Sequence, residues 1–377
     1  MRVSSGDFGI KNLNRIKVME YLVDHQKASR LELSQKLGFS MPTVFQIVNE
    51  LIERGVIRES GEYDSTGGRR AKILTVCPGS FCVAGIVVSK NHIRIVLLDA
   101  SKEIVDEIEL DIVYEDTSEY YQKFGEVINQ FLSRDRGEKA GALLSVGVVM
   151  PGTLDAEKKI VRNCPSMGVS EVQLEKLERE IDYPVSFVST KYAVLAEMEN
   201  KQENMIYLSL NDEIDGSAYL NQQVYIGDQF KSMMFGHMTI VPDGRPCRCG
   251  RKGCFDAYCS ANALEDICGK PLETFFELLD HGDGESEAIW DSFLDYLSMT
   301  VANLRMIFDC NIILGGKIGG HLGKYLGRLE SKILKNSIYE KDTSFVVSSN
   351  YRKELYAAGA ARLMLETSIR EGRFLTE

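Results

Sequence analysis

The sequence predicts a mostly α-helical head that carries a β-hairpin, followed by a larger α/β body made of two similar lobes. Two short capped helices and a polar hairpin pattern fall within residues 1–78. From residue 81 onward, three consecutive strand patterns, followed by helices and further strands, occur twice, which is typical of a duplicated α/β architecture. A glycine-bearing segment with one His and three Cys follows the second set of strands.

The composition is that of an ordinary globular protein. The chain has 377 residues, enough for two or three domains, with 44% hydrophobic and 26% charged residues. No apolar run has the length of a transmembrane helix, and the first residues lack the apolar core of a signal peptide. Nine cysteines, an odd number, fit a reducing compartment better than secretion. We therefore expect a cytoplasmic protein without a membrane partner.

The charge is distributed unevenly along the chain. Residues 1–70 contain 11 Lys and Arg against 9 Asp and Glu, whereas the remainder contains 33 against 46. The net charge of −11 argues against a generic nucleic-acid-binding protein. A mildly basic head on an acidic body still permits contact with DNA through the head alone.

The head begins with three helical patterns. Residues 12 to about 24 place apolar side chains at helical spacing. Ser29 and Glu32 form a capping-box pattern for a second helix, which Gly38 ends, and Ser40 is the N-cap of a third helix. Two short capped helices joined by a Gly-bearing turn predict a helix-turn-helix.

The third helix, over residues 41–52, has an apolar face for the core and an opposite face that suits a DNA major groove. An amide side chain on that face can pair with an adenine edge, and Phe45 can contact a thymine methyl group. The predicted DNA-binding residues of this region are Ser40, Thr43, Phe45, Gln46 and Asn49. The alternative is a small packing domain that contacts no DNA.

A polar, turn-rich stretch follows the third helix and predicts a β-hairpin wing, which makes the head a winged helix-turn-helix. Gly67 and Gly68 allow close approach of the backbone, and Arg69 and Arg70 suit phosphates or a narrow minor groove. The alternative for this stretch is a solvated loop.

The body shows two series of elements. In the first, strand patterns lie at residues 81–88, 93–99, 103–113, 143–150 and 185–188, and helical patterns lie at 118–132 and 172–181. In the second, strands are expected at 205–210, 217–220, 224–226 and 311–314, and helices at 261–268, 272–279, 285–307, 322–338 and 353–369. The order of the first series is that of an actin-like (ribonuclease H-like) lobe, and paired lobes of this kind leave a cleft that suits a small molecule.

The segment from Gly236 to Cys254 holds a predicted structural zinc site. Thiolate and imidazole are preferred ligands of Zn²⁺, and four of them close a tetrahedral site. Glycines in the segment let the backbone turn sharply enough for the sulfurs to converge. The alternative, a set of buried free thiols, is disfavoured because Arg and Lys side chains surround the cysteines. The predicted ligands are His237, Cys247, Cys249 and Cys254.

This segment resembles a known family motif. Gly236-His237 followed by Cys247-x-Cys249-Gly250-x-x-Gly253-Cys254 is similar to the zinc motif of the ROK family, which contains repressors, open reading frames and sugar kinases. Residues 67–70 likewise resemble the Gly-Gly-Arg-Arg wing of ROK repressors. The resemblance implies an actin-like, two-lobed α/β body behind an N-terminal winged helix, with the last helix packed on the first lobe.

Three domains are expected on this basis. The winged helix-turn-helix covers residues 1–78, and the first α/β lobe covers 79–190 and is joined by a C-terminal helix at 353–377. The second lobe covers 191–352 and contains the zinc motif and the helices that form a dimer.

The resemblance also shows which kinase features the chain lacks. Kinases of the family place a catalytic carboxylate where this chain has Ser189, and an asparagine where it has Lys191. Their second phosphate-binding turn, rich in glycine, is replaced by Glu213 to Ser217, whose carboxylates would repel phosphate. Because phosphoryl transfer needs a base and a phosphate cradle, we expect no enzyme activity.

The expected effector site uses positions that bind sugar hydroxyls in relatives. His237 is retained, whereas Asp256 and Met234 replace two glutamates. A neutral hexose should bind poorly, because an unmatched buried polar group costs about 1–3 kcal/mol, and Lys191 would favour an anionic sugar derivative. The predicted effector-binding residues are Ser189, Lys191, His237 and Asp256.

These features predict a sequence-specific DNA-binding transcriptional regulator of the ROK type, a repressor of carbohydrate-related genes with a sugar or sugar derivative as effector. We expect it to bind double-stranded operator DNA as a homodimer or homotetramer. Two alternatives stay open. One is a ROK sugar kinase with a regulatory head, and the other is a ligand-independent DNA-binding protein with a vestigial cleft.

Overall fold

The structure is a computed structural model that describes residues 9–63, 70–164, 167–198, 203–350 and 352–376. These residues fall into two compact units. The first unit runs to Ala196 and resumes at Glu354, and the second runs from Glu197 to Lys353. The head therefore belongs to the same unit as the first lobe. Within the described residues, no helix combines the length and apolarity needed to cross a bilayer. The three-domain boundaries expected from the sequence stay a prediction.

The head consists of three helices and a hairpin. The helices are α1 (Ile10–His25), α2 (Arg30–Leu37) and α3 (Met41–Glu53), and the hairpin pairs β1 (Ile57–Glu62) with β2 (Lys72–Val76). The apolar face of α3 is buried, as its sequence pattern predicts. Its opposite face is thereby fixed toward solvent.

Local capping sets the boundaries of α2 and α3, as the sequence predicts. The Ser29 hydroxyl accepts a hydrogen bond from the Glu32 N–H at 3.1 Å, and the Glu32 carboxylate accepts one from the Ser29 N–H at 3.4 Å. These two bonds complete the capping box. Gly38 ends α2 in the left-handed conformation, at φ 68°. The Ser40 hydroxyl accepts from the Thr43 N–H at 3.3 Å and begins α3.

The first lobe contains a mixed five-stranded sheet and a smaller three-stranded one. Its elements in chain order are β3 (Phe81–Val88), β4 (Ile93–Asp99), β5 (Ile104–Leu110), α4 (Ser118–Leu132), β6 (Ala142–Val149), β7 (Thr153–Asp155), β8 (Ile160–Cys164), β9 (Val169–Gln173), α5 (Glu175–Glu178), β10 (Val185–Val188) and α6 (Val194–Glu197). The large sheet has the order β10-β6-β3-β4-β5, in which β10, β6 and β3 are parallel and β4 and β5 antiparallel. Strands β7, β8 and β9 form the small sheet.

One helical expectation in this lobe is wrong at its first two residues. Residues 172–181 carry a helical pattern, but Val169–Gln173 form strand β9 and only Glu175–Glu178 are helical. Strand β9 pairs antiparallel with β8, with Val172 opposite Val161. The hydrogen bonds of this non-local ladder satisfy the backbone groups that a helix would have satisfied locally.

The second unit is built on another five-stranded sheet. Its elements in chain order are β11 (Met205–Leu210), β12 (Ile214–Leu220), β13 (Gln223–Val224), α7 (Asp256–Cys259), α8 (Ala261–Cys268), α9 (Leu272–Asp280), α10 (Gly284–Phe308), β14 (Asn311–Gly315), α11 (Gly316–Leu322), α12 (Leu326–Asn336) and β15 (Val346–Ser348). The sheet order is β13-β12-β11-β14-β15, with β11, β14 and β15 parallel. The irregular stretch between β13 and α7 contains the His and Cys residues of interest.

The last helix, α13 (Leu355–Arg370), returns to the first lobe and packs on β3 and β6. Glycine permits this close approach, because a Cβ at Gly85 would overlap the Ala357 carbonyl oxygen. A Cβ at Gly359 would lie 2.5 Å from the Tyr192 carbonyl oxygen. Helix α13 is therefore in direct contact with the 3-10 turn Thr190–Ala193, which carries the predicted effector residue Lys191.

Candidate nucleic-acid interface and metal centre

The face of α3 opposite its buried side is polar and accessible. Gln46 and Asn49 are exposed, and the Phe45 side chain is 48% exposed although it lies in the middle of the helix. Thr43 is half-buried, and its hydroxyl lies 2.8 Å from that of the exposed Ser40. Spacings of three and four residues place these five side chains on one side of the helix. Phe45, Gln46 and Asn49 form an exposed surface on this side.

Glu50, the acidic residue next to this surface, has its negative charge compensated by an ion pair. Arg15 Nε donates to Glu50 Oε2 at 2.8 Å, and Gln46 Nε2 donates to Glu50 Oε1 at 3.0 Å. The Gln46 hydrogen bond and the Arg15 charge hold the pKa of Glu50 below its ordinary value, against the opposing effect of burial. The ion pair lowers the repulsion that a free carboxylate would exert on a nearby phosphate.

Arg30, the first residue of α2, connects α3 with the hairpin. Its guanidinium lies 5.1 Å above the centre of the Phe45 ring. Its Nη1 donates to Glu59 Oε1 at 2.9 Å, and its Nη2 donates to Asn49 Oδ1 at 3.5 Å. No local sequence pattern predicts this arrangement, since the partners of Arg30 lie 15 to 29 residues further along the chain.

The predicted wing is described only in part. Strands β1 and β2 form the antiparallel hairpin, with an irregularity in register between Glu59 and Gly61. Arg70 is exposed at the start of the returning strand. Gly67, Gly68 and Arg69 lie outside the described residues.

The four predicted metal ligands come together in the second unit. The ligand atoms of His237, Cys247, Cys249 and Cys254 all lie within 4.8 Å of one another. The Cys249 and Cys254 sulfurs are 3.8 Å apart, and His237 Nδ1 lies 3.9 Å from the Cys247 sulfur. A tetrahedron with metal–sulfur bonds of about 2.3 Å has edges of about 3.8 Å. One nitrogen and three sulfurs at these separations fit a tetrahedral metal site.

The backbone of this segment holds the sulfurs in place. The Cys247 N–H donates to the Arg251 carbonyl at 2.8 Å, and the Gly250 N–H donates to the Cys247 carbonyl at 2.9 Å. Gly250 and Gly253 both have positive φ, 85° and 77°. A Cβ at Gly253 would overlap the Val241 carbonyl oxygen, whereas a Cβ at Gly250 would meet nothing within 4 Å. Gly250 is required only by the positive φ of the turn, whereas Gly253 is required both by its positive φ and by a close backbone approach.

The three thiols also affect one another. Burial raises the pKa of the Cys247 thiol to about 12 and raises that of Cys254. Burial acts in the same direction on Cys249, but hydrogen bonds from the Arg251 backbone and from the neighbouring thiols hold its pKa below the ordinary value. A bound cation would favour the thiolate form of all three.

The predicted effector residues occupy both units. In the first unit, the Ser189 hydroxyl accepts from the Lys191 N–H at 3.3 Å and caps the 3-10 turn, while the Lys191 side chain is buried. In the second unit, Asp256 lies two residues after the last cysteine, and its Oδ1 accepts from the Ile214 N–H at 2.7 Å. Burial raises the pKa of Asp256, although the Ile214 hydrogen bond opposes this. Asp256 therefore also supports the start of β12.

In the Gly-rich turn after β14, polar groups of the turn already have partners within the protein. The Lys317 N–H at the start of α11 donates to Asn211 Oδ1 at 2.9 Å, and the Lys317 ammonium pairs with Asp212 at 2.7 Å. A Cβ at Gly316, whose φ is 83°, would lie 2.8 Å from the Leu210 backbone. Glycine at this position thus permits close packing against β11.

Comparison with known proteins identifies the family of the body. A family model described as ROK family matches residues 83–367, well over half of the chain. The chain belongs to the ROK family. A second model, described as winged helix-turn-helix DNA-binding, matches residues 11–58, so a DNA-binding head precedes the ROK body. This combination makes the chain a DNA-binding transcriptional regulator of the ROK type.

Two curated proteins are similar to this ROK chain over nearly its whole length. The chain is 27% identical to the xylose repressor of Bacillus spizizenii, with 95% of this chain and 96% of that protein covered. It is 24% identical to the N-acetylglucosamine repressor of Escherichia coli O157:H7, with 94% and 93% covered.

Solved ROK structures confirm the predicted fold class. The crystal structure of a ROK family transcriptional regulator, a homolog of the E. coli MLC protein, has a TM-score of 0.78 at 22% identity and covers 97% of this chain and 98% of its own. The ROK hexokinase from Thermus thermophilus has a TM-score of 0.60 at 21% identity and covers 76% of this chain and 100% of its own. At these identities the likeness concerns the fold alone.

Proposed function

We propose that this chain is a repressor that binds operator DNA through its head and a carbohydrate-type ligand through its body. The observation that supports this most strongly is the accessible amide and aromatic face of α3 on a chain with a ROK body. The names of the two curated relatives, a xylose repressor and an N-acetylglucosamine repressor, support a sugar-linked role.

The head would make two kinds of contact with DNA. Side chains of α3 would reach base edges in the major groove, and the arginines of the wing would neutralise phosphates. The residues of this proposal are Ser40, Thr43, Phe45, Gln46, Asn49, Arg69 and Arg70.

Selection of bound sequences from a pool of random duplexes, with the intact chain, would identify the operator. Changing both Arg69 and Arg70 to Ala should weaken binding to every sequence alike and lower the salt slope by up to about 1.8, at about 0.9 for each phosphate contact. Changing Gln46 to Ala should instead alter which base is preferred at one position. An unchanged affinity and slope in the double arginine variant would count against the wing assignment.

The regulator would bind as a dimer or a dimer of dimers. A symmetric pair of heads requires an operator with two half-sites about 10–10.5 base pairs apart, or a multiple of that spacing. Sedimentation equilibrium of the chain with its selected duplex measures the number of chains bound. One chain on each duplex would contradict a symmetric complex.

We propose a structural zinc ion at the His and Cys cluster. His237, Cys247, Cys249 and Cys254 would hold it, and the ion would join Cys254, two residues before α7, to the turn that carries His237. Metal analysis of the purified chain should find about one zinc for each chain. Cys247→Ser should lose it, whereas the matched control Cys268→Ser, on α8 outside the cluster, should keep it. Equal zinc content in both variants would contradict the assignment.

We propose that the chain is not a kinase. Ser189 caps a turn and offers no carboxylate that could act as a base. At the start of α11, the Lys317 N–H already donates to the Asn211 side chain, and the Lys317 ammonium already pairs with Asp212. The kinase alternative is supported by the fold that this chain shares with the ROK hexokinase. Release of ADP from ATP in the presence of a sugar panel measures this directly. Sugar-dependent turnover by the wild-type chain would favour the kinase.

The effector would bind at Ser189, Lys191, His237 and Asp256. Thermal unfolding of the chain against a pentose, a hexose, an N-acetylated hexosamine and a sugar phosphate would identify the class. A ligand at 100 times its Kd stabilises the folded state by about 2.7 kcal/mol. A ligand that raises the Tm should also change the affinity for the selected duplex. If none of these ligands shifts the Tm, the alternative of a vestigial cleft would be favoured.

A further inference from the structure

The Arg30 side chain contacts α3 through Phe45 and Asn49, and it contacts the hairpin through Glu59. Only 15% of its side chain is exposed, against 37% for its partner Glu59. Its position at the first residue of α2 fixes the starting point of the side chain, because the Ser29 capping box holds that turn. The guanidinium is therefore held on a rigid element while it contacts α3.

The contact with Phe45 gives this aromatic ring a fixed position. An aromatic side chain that is 48% exposed in the middle of a helix has few neighbours to hold it. The guanidinium lies 5.1 Å above the ring centre, within the range of a cation–π interaction. The guanidinium thereby restricts the position of the ring, which is still 48% exposed.

The contact with Asn49 sets the direction of its amide group. A guanidinium has five donors and no acceptor, so the atom of Asn49 that faces Arg30 at 3.5 Å must be the amide oxygen. The amide nitrogen then faces away from Arg30, with its hydrogens available. Asn49 is thus presented as a donor, which suits the N7 or O6 acceptors of a purine in the major groove.

The ion pair with Glu59 sets the position of Arg30 in turn. The 2.9 Å bond from Nη1 to Glu59 joins α2 to β1, while the Arg30 Nε is buried and has no hydrogen-bond partner among the described residues. A buried guanidinium donor left unpaired is unfavourable, so packing stability alone does not account for this arrangement. The two terminal nitrogens carry the polar contacts with Glu59 and Asn49.

We propose that Arg30 is a positioning residue for base recognition, which acts by fixing the Phe45 ring and presenting Asn49 as a hydrogen-bond donor. This inference rests on the proposed DNA-binding function of α3. It predicts that Asn49 contacts the purine, and not the pyrimidine, of the base pair that it reads, which fixes the strand on which the purine lies. It also distinguishes Arg30 from an arginine that contacts phosphate, because its effect would be on the choice of base and not on the number of ions released.

The test is selection of bound sequences by the intact wild-type chain and by Arg30→Lys, followed by titrations at several salt concentrations. Lysine keeps the charge but lacks the planar fork. In Arg30→Lys, discrimination at the base pair read by Asn49 should fall by at least about fivefold, with the salt slope unchanged. Lys17→Gln, on the exposed side of α1, is the control for a changed charge in the head and should keep the base profile.

A double variant separates positioning from unfolding. If Arg30 acts through Asn49, then adding Arg30→Lys to Asn49→Ala should cause no further loss at that base pair. An additive loss would overturn the proposal, and so would a wild-type base profile in Arg30→Lys. A uniform loss over all sequences with a salt slope lower by about 0.9 in Arg30→Gln would show a phosphate contact instead. A wild-type chain that selects no sequence would refute the DNA-binding function itself, a result distinct from all of these.

Discussion

The two glycines of the metal segment offer a matched test of how the backbone shapes the site. Gly250 and Gly253 have similar positive φ values, 85° and 77°, and lie three residues apart. A Cβ at Gly250 would meet nothing within 4 Å, whereas a Cβ at Gly253 would overlap the Val241 carbonyl oxygen. Alanine at either position should therefore carry the same backbone strain, and only Gly253→Ala should add a steric overlap.

The expected magnitudes follow from these two contributions. Left-handed backbone costs an alanine about 1–2 kcal/mol, which is the whole effect expected for Gly250→Ala. Overpacking against a fixed backbone adds about 1–3 kcal/mol, so Gly253→Ala should cost about 2–5 kcal/mol. The Gly253 carbonyl also accepts hydrogen bonds from the Ile240 and Val241 N–H groups, at 2.8 and 3.2 Å. A shift of this segment would displace the adjacent Cys254.

The assay is zinc content per chain together with urea unfolding of the two variants and the wild type. Gly250→Ala should keep its zinc and lose only the about 1–2 kcal/mol of stability that backbone strain costs. Gly253→Ala should lose zinc, stability or both, because metal binding and folding of such a site are coupled. If the two variants match in zinc content and in unfolding midpoint, the close approach to Val241 does not control the site.

Three further predictions concern stability and coupling within the units. Ser40→Ala should cost about 1 kcal/mol in urea unfolding, because it removes the N-cap of α3, and an unchanged midpoint would contradict this. Arg54, which follows α3, donates to the Leu375 carbonyl at 3.1 Å, so Arg54→Ala should speed amide exchange at the end of α3 with little global destabilisation. The Lys332 hydrogen bond lowers the pKa of Asp291, so this carboxylate stabilises the fold above its unfolded pKa and the contribution is lost as pH falls. In thermal unfolding, Asp291→Asn should therefore lower the Tm slightly at pH 7 and leave it unchanged near pH 2. A Tm of the variant that is still lower near pH 2 would contradict the ion pair.

Sequence reasoning succeeds here where the determining interactions are local. The Ser29 capping box, the Ser40 cap and the buried face of α3 depend on residues within one or two helical turns, and all are confirmed. The His and Cys cluster was foreseen for the same reason. Its three cysteines lie within eight residues, and only His237 comes from further upstream, so their convergence needs only one sharply turned segment.

Sequence reasoning fails where residues far apart in the chain determine the local structure. At Val172 and Gln173 the predicted helix is replaced by the end of strand β9, because β8 supplies a pairing partner from an earlier stretch. Arg30 was overlooked because its contacts with Asn49 and Glu59 span 19 and 29 residues. The effector role of Lys191 stays a prediction, but its burial could not be read from local sequence, because it depends on how the turn packs against α13, far along the chain.

Recognition of an operator by α3 can be tested by in vitro selection of DNA with the intact chain, compared with a variant carrying Gln46→Ala and Asn49→Ala. The wild-type chain should enrich one symmetric sequence, and the variant should lose the base preference while keeping its fold. Enrichment of no sequence, or of the same sequence by both chains, would contradict recognition of an operator by α3.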